Sequence, residues 1–211
     1  MKYKNLIFDL DGTLWDSRET IVDNWNQVLS KLNLISRPIV KTDMDKYMGL
    51  LIPDVLKDMF PGISENLIYQ IMDEIRESEN QSILVHGGIL YESIEESLRK
   101  LAVDHNLFIV SNCQDGYIES FLKYFGFENL ITDFESYGRT GKPKVENIKS
   151  VVDRNHLNSD ETIYIGDTMT DYEAASQNNL DFIFCSYGFG RNNVNGKLLT
   201  INKFNELLQY I

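Results

Sequence analysis

Apolar residues in this chain follow two spacings, and the spacings divide it into two kinds of territory. The runs Tyr3–Phe8, Leu107–Val110, Leu130–Ile131, Thr162–Ile165 and Phe182–Cys185 are short and rich in β-branched and aromatic residues. That is the pattern of strands buried on both faces. Between the later runs the apolar residues recur with a helical period: Leu90, Ile94, Leu98 and Leu101; then Ile118, Phe121, Leu122 and Phe125; then Ile148, Val151 and Val152. Thr170 with Glu173 predicts a capping-box pair at the head of one more helix. From residue 86 onward strand and helix alternate, which predicts parallel βαβ units.

Residues 16–85 break that alternation. They carry two helical stripes, Ile21, Trp25, Val28, Leu29 and Leu32, then Leu67, Ile68, Ile71, Met72 and Ile75, with no strand pattern between them. Arg37-Pro38 and Pro61-Gly62 separate the helices. The segment therefore reads as an all-helical unit inserted after the first strand, with His86-Gly87-Gly88 as the return hinge.

The first strand runs straight into Asp9-Leu10-Asp11-Gly12-Thr13. Side chains two residues apart on an extended chain point the same way. Two crowded carboxylates are stable together only with a cation between them or with one of them protonated. Gly12 permits a sharp turn, and the Thr13 hydroxyl can hold it. The carboxyl end of a strand is also where open α/β sheets place their ligands.

Composition narrows the reading. The chain has 211 residues, 43% hydrophobic and 25% charged, with a formal net charge of −12 and a pI near 4.7. An acidic chain lacks the basic footprint that nucleic-acid binding needs. It also repels a phosphorylated substrate, so the site must supply its own positive charge, from a divalent metal and one or two lysines. Cys113 and Cys185 form no disulfide framework and are expected as reduced, partly buried thiols. No apolar run approaches the ~20 residues of a membrane span, and the start has no signal-peptide core. The expected setting is cytoplasmic, with no membrane partner. His86, His105 and His156 are scattered, with no metal-ligand spacing, and are expected at the surface.

Three further segments carry chemistry. Ser111-Asn112 follows Phe108-Ile109-Val110, pairing a hydroxyl with a backbone N–H at a strand-to-helix junction suited to a phosphate oxygen. Gly166-Asp167-Thr168-Met169-Thr170-Asp171 follows Ile163-Tyr164-Ile165, and its two carboxylates could complete a hard-cation site with Asp9 and Asp11. Gly141-Lys142-Pro143-Lys144 lies between them and offers a lysine to a transferring phosphoryl group.

These four segments, in this order, resemble the haloacid dehalogenase-like hydrolase superfamily over nearly the whole chain. The helical insert after the first motif is similar to its helical-cap branch, which includes phosphoglycolate-phosphatase-like and β-phosphoglucomutase-like enzymes. The resemblance implies an α/β fold: a Rossmann-like three-layer parallel-sheet core of residues 1–15 and 86–211, and an inserted all-helical cap of residues 16–85. It implies Asp9 as the nucleophile forming an aspartyl phosphate, and Asp11 as the acid that protonates the leaving oxygen and then deprotonates water. It implies Mg²⁺ held by the Asp9 carboxylate, the Asp11 main-chain oxygen and Asp167, with Asp171 a ligand through water or an orienter of the lysine. Ser111 and the N–H of Asn112 would hold the phosphoryl oxygens. Lys142 is favoured over Lys144 as the lysine that offsets their charge.

The expected activity is Mg²⁺-dependent hydrolysis of a small phosphorylated metabolite by a monomer or dimer. The alternatives are a sugar-phosphate phosphomutase and a catalytically idle binding or regulatory protein. A receiver domain places its phosphorylated Asp later in the chain and carries no such insert. A dehalogenase needs neither a metal nor an acid at the second position. Trp15 and Tyr47-Met48-Gly49 are candidates for touching substrate, with helix-core packing as the competing account.

Overall fold

The computed structural model describes residues 2–190 and 198–211. Six parallel strands form the central sheet. They are β1 (Asn5–Phe8), β4 (Asn106–Ser111), β5 (Ile131–Ser136), β6 (Thr162–Gly166), β7 (Asp181–Cys185) and β8 (Leu199–Ile201), in the order β5-β4-β1-β6-β7-β8. Two short strands, β2 (Trp15–Asp16) and β3 (Ile89–Leu90), pair antiparallel as a separate ribbon.

Strand alternation builds the layers. Leu6, Phe8, Leu107, Ile109, Ile163 and Ile165 project to one face, where they pack against α5 (Ile94–Asp104), α6 (Tyr117–Phe125) and Phe204 of the terminal 3-10 turn. Ile7, Phe108, Val110 and Tyr164 project to the other, against α8 (Lys144–Arg154) and α9 (Met169–Gln177). All ten side chains are buried. A strand buried on both faces needs no polar alternation, which is why these runs read as continuous apolar stretches.

The insert folds as α1 (Arg18–Lys31), α2 (Lys41–Met44), α3 (Ile52–Met59) and α4 (Glu65–His86), around an apolar cluster of its own that includes Trp25, Leu29, Leu56, Ile71 and Ile75. Ser64 caps α4, its hydroxyl accepting from the Leu67 N–H, and Gly87 ends the helix at φ +63°. The β2–β3 ribbon ties together the two chain crossings between insert and sheet.

Several details depart from the sequence reading. Strand β5 continues to Ser136, through Thr132, Asp133 and Glu135, because it lies at the sheet edge, where Arg154 pairs with Asp133 and Glu135. The capping box of α9 is Thr168 with Asp171, not Thr170 with Glu173. Trp15 belongs to the core: it is fully buried, edge-on to Phe121 at 4.9 Å and to Tyr117 at 5.8 Å. The short helix α7 (Tyr137–Thr140) precedes the Gly141 turn.

Candidate active site

The sheet order reverses direction at β1. Chain segments after it go to β4 on one side and to β6 on the other, so the carboxyl ends of these three neighbours open a crevice between them. Asp9 leaves β1, Ser111 ends β4 and Asp167 leaves β6. All three are buried.

The approach is close enough to dictate glycine. Gly12 has φ +88°, and a Cβ there would stand 2.3 Å from Asp167 Oδ2 and 2.7 Å from the Phe189 ring. At Gly166 a Cβ would stand 2.6 Å from the Asp171 side chain. The acids can converge only because those two positions carry no side chain.

One carboxylate oxygen from each of Asp9, Asp167 and Asp171 falls within a group whose members all lie within 4.8 Å of one another. Lys144 stands among them, donating to Asp9 Oδ1 at 2.8 Å and Asp171 Oδ1 at 2.6 Å. Burial pushes the Asp9 carboxyl up; Lys144 opposes that and Asp171 adds to it. Asp167 is pushed well up by burial and by Asp171 and Asp9. Burial alone would lower Lys144, but Asp171 and Asp9 outweigh it and hold the ammonium charged.

Three buried carboxylates against one lysine leave the cluster short of positive charge, and oxygen donors suit a hard cation such as Mg²⁺. The residues therefore fit a divalent metal. Asp171 is engaged at both oxygens. Oδ1 receives Lys144, while Oδ2 accepts from the Thr168 hydroxyl at 2.7 Å and the Thr168 N–H at 2.9 Å. It is built to orient the lysine. Asp167 is steadied by the Phe189 N–H at 2.6 Å.

Asp11 lies apart from the lysine and inside a different set of partners. The hydroxyls of Ser17 and Tyr117 both donate to its Oδ1, the second at 2.9 Å. Burial raises its carboxyl, with Ser17 and Tyr117 opposing. A buried carboxyl whose proton is held more tightly than usual is suited to acid–base work. Asn112 is fixed by its own amide, which donates to the Gly49 carbonyl at 2.9 Å across the boundary with the insert. Asp9, Asp11, Ser111 and Asn112 all line one cavity, closed on the far side by the helical insert.

The lysine expected from the sequence is corrected. The Lys142 side chain is 54% exposed and faces Glu146 at 3.8 Å, whereas Lys144 is 3% exposed and pairs with Asp9. Pro143, itself extended, is the N-cap of α8 and leaves Lys142 outside the helix. Lys144 opens the helix and is in phase with its buried residues Asn147, Ile148 and Val151. That phase was visible in the sequence. Ser17, Tyr117 and Glu79 were not anticipated; of these only Glu79 carried a sequence signal, since it repeats every four residues with Ile71, Ile75 and Ile83. Tyr47, Met48 and Gly49 do line the cavity. Cys113 lines it too, but burial pushes its thiol well up, which leaves it no use as a thiolate nucleophile.

Comparison with known proteins identifies the family. The family model for haloacid dehalogenase-like hydrolases matches residues 6–185, and the chain belongs to that family. It is 27% identical over 196 residues to a 5'-nucleotidase of Pseudomonas aeruginosa, covering 90% of this chain and 86% of the relative. It is 25% identical over 192 residues to a phosphoglycolate phosphatase of Psychrobacter arcticus, covering 87% and 84%. The crystal structure of a predicted phosphatase from Clostridium acetobutylicum superposes with a TM-score of 0.84 at 24% identity, covering 100% of this chain and 98% of that one. Among the described residues no helix is long and apolar enough to cross a membrane.

Proposed function

We propose that this chain hydrolyses a small phosphomonoester with Mg²⁺, through a phosphoryl group carried on Asp9. Its enzyme class is that of a phosphoric monoester hydrolase of the haloacid dehalogenase-like family. The observation that carries the finer reading is Asp9 itself, a buried carboxylate at a strand exit, paired with Lys144 at 2.8 Å and opening on the same cavity as Asp11, Ser111 and Asn112.

A carboxylate oxygen of Asp9 attacks phosphorus, and the bond from phosphorus to the leaving oxygen breaks. Asp11 gives that oxygen a proton. Asp11, now ionised, takes a proton from water as the water attacks the same phosphorus. The bond to Asp9 then breaks and inorganic phosphate leaves. The Ser111 hydroxyl and the Asn112 N–H receive the phosphoryl oxygens. Lys144 remains charged throughout and orients Asp9 from behind. Mg²⁺, held by the carboxylates of Asp9 and Asp167 and by the Asp11 main-chain oxygen, would offset phosphoryl charge when bound. The insert, residues 16–85, acts as a cap that closes over the site and excludes bulk water.

Turnover of p-nitrophenyl phosphate with and without MgCl₂ tests the activity, and Asp9→Asn tests the nucleophile. That variant should lose at least about 10³-fold in rate while remaining folded and as stable as wild type, since it removes one of three crowded carboxylates. Retention of a tenth of the wild-type rate would overturn the assignment.

A further inference from the structure

The cavity between sheet and insert contains two buried oxygen acceptors that nothing in the fold satisfies. Glu79 of α4 is only 2% exposed and lines the cavity. Its Oε2 accepts from the Gln114 side-chain amide, and its Oε1 has no hydrogen-bond partner. Asn112 lines the same space. Its amide nitrogen is committed to the Gly49 carbonyl, so its Oδ1 must be the acceptor left over, and that atom is also unpartnered. Buried acceptors without donors are costly, and a native protein keeps them where a ligand or water will answer them.

The rest of the wall defines what else the ligand carries. On the insert side it is apolar, with Trp25, Met44, Ile52 and Val55, and no lysine or arginine is among the described lining residues. Burial without a counter-charge pushes the Glu79 carboxyl up to about 8. The cavity is small, about 60 Å³, which favours a short leaving group over a long one.

Resting on the phosphatase reading above, we propose that Glu79 and Asn112 select the leaving group: a short carbon skeleton ending in a hydrogen-bond donor, an ammonium or a hydroxyl, and bearing no second anion. An ammonium would bring the raised Glu79 carboxyl back down and pair with the carboxylate so formed, in a cavity that the Trp25 ring also lines. A hydroxyl would donate to Glu79 Oε1 or Asn112 Oδ1. A carboxylate in the same place would find no cation, and it would face Asn112 Oδ1 and the Asp11 carboxyl, with only a protonated Glu79 left to donate to it. The substrate class in the name of the phosphoglycolate phosphatase relative is therefore not extended to this chain.

Three phosphomonoesters of equal length test this: 2-aminoethyl phosphate, 2-hydroxyethyl phosphate and phosphoglycolate. Each is compared by kcat/KM in the Mg²⁺-loaded enzyme, with p-nitrophenyl phosphate alongside. At least one donor-bearing ester should exceed phosphoglycolate by tenfold or more, and which of the two does so separates ammonium from hydroxyl. In Glu79→Gln that ratio should fall at least fivefold, and Glu79→Asp should restore part of it. Because the readout is a ratio within one preparation, partial unfolding of a variant cancels. A wild-type preference for phosphoglycolate, no turnover of any of the three, or an unchanged ratio in Glu79→Gln overturns the inference alone if p-nitrophenyl phosphate is still hydrolysed. Absence of turnover for all four esters overturns the phosphatase reading and this inference with it.

Discussion

On the sheet side of the cavity the reactive groups are held by named partners. Asp9 is gripped by Lys144, Lys144 by Asp171, Asp171 by the first turn of α9, and Asp11 by Ser17 and Tyr117. On the insert side the wall is mostly apolar, and Glu79 is its one carboxyl group among the described residues. The first wall positions charges that would not tolerate displacement. The second excludes water and offers shape. The two walls rest largely on different apolar clusters, joined where Ile83 of α4 enters the sheet-side one.

The sharpest way to break this comparison is to remove the cation at the centre of the sheet wall. Lys144→Met leaves Asp9 and Asp171 buried without their partner, which should cost on the order of 3–5 kcal/mol of stability in the metal-free protein and about 10²-fold or more in turnover. Urea denaturation and steady-state rates measure the two effects. Lys142→Met, two residues earlier and exposed, should change neither rate nor stability by more than about twofold in rate and 0.5 kcal/mol. Comparable losses in both variants would overturn the assignment of this role to Lys144.

A second experiment separates the two acids of the first motif. Asp11→Asn should slow an alkyl phosphate about 10–100-fold more than p-nitrophenyl phosphate, because a poor leaving group needs the proton that a good one does not. Equal losses for the two esters would contradict a general-acid role for Asp11.

The smallest effect belongs to the insert wall and is read from pH. Glu79 has an ordinary value of 4.5, raised by burial to about 8, so the native protein binds this proton more tightly than the unfolded chain does. Its contribution to stability is then greatest at low pH and is lost as the pH rises through that interval. Wild type should lose up to a few kcal/mol relative to Glu79→Gln between pH 5 and 8.5, measured by chemical denaturation. The charged neighbour Asp11 contributes to the rise at Glu79. Parallel profiles would mean that Glu79 finds a counter-charge in the native protein.

Lys144 and Glu79 also mark where reading the sequence stopped short. Both lie in phase with apolar stripes, Lys144 with Ile148 and Val151, Glu79 with Ile71, Ile75 and Ile83. A charged residue on the buried face of a helix is expensive unless something meets it, so the phase itself flags a functional position. Lys142 is favoured by the sequence instead because the family resemblance rests on the Lys142-Pro143 pair.

What the linear sequence determined is whatever depends on period and on neighbours in the chain. The continuous apolar runs specify strands buried on both faces, the stripes between residues 16 and 85 specify helices, and Asp9-Leu10-Asp11-Gly12-Thr13 specifies a turn that brings acids to a strand exit. The tertiary structure alone decided which groups meet across large separations. Tyr117 reaches Asp11 from 106 positions away, Lys144 reaches Asp9 from 135, and Gln114 meets Glu79 only because α6 packs under α4. Strand β8 and the β2–β3 ribbon are of the same kind, two or three residues long and existing only because a paired edge waits for them. Periodicity encodes which face of an element is buried; the partner it is buried against comes from packing, to which every other element contributes.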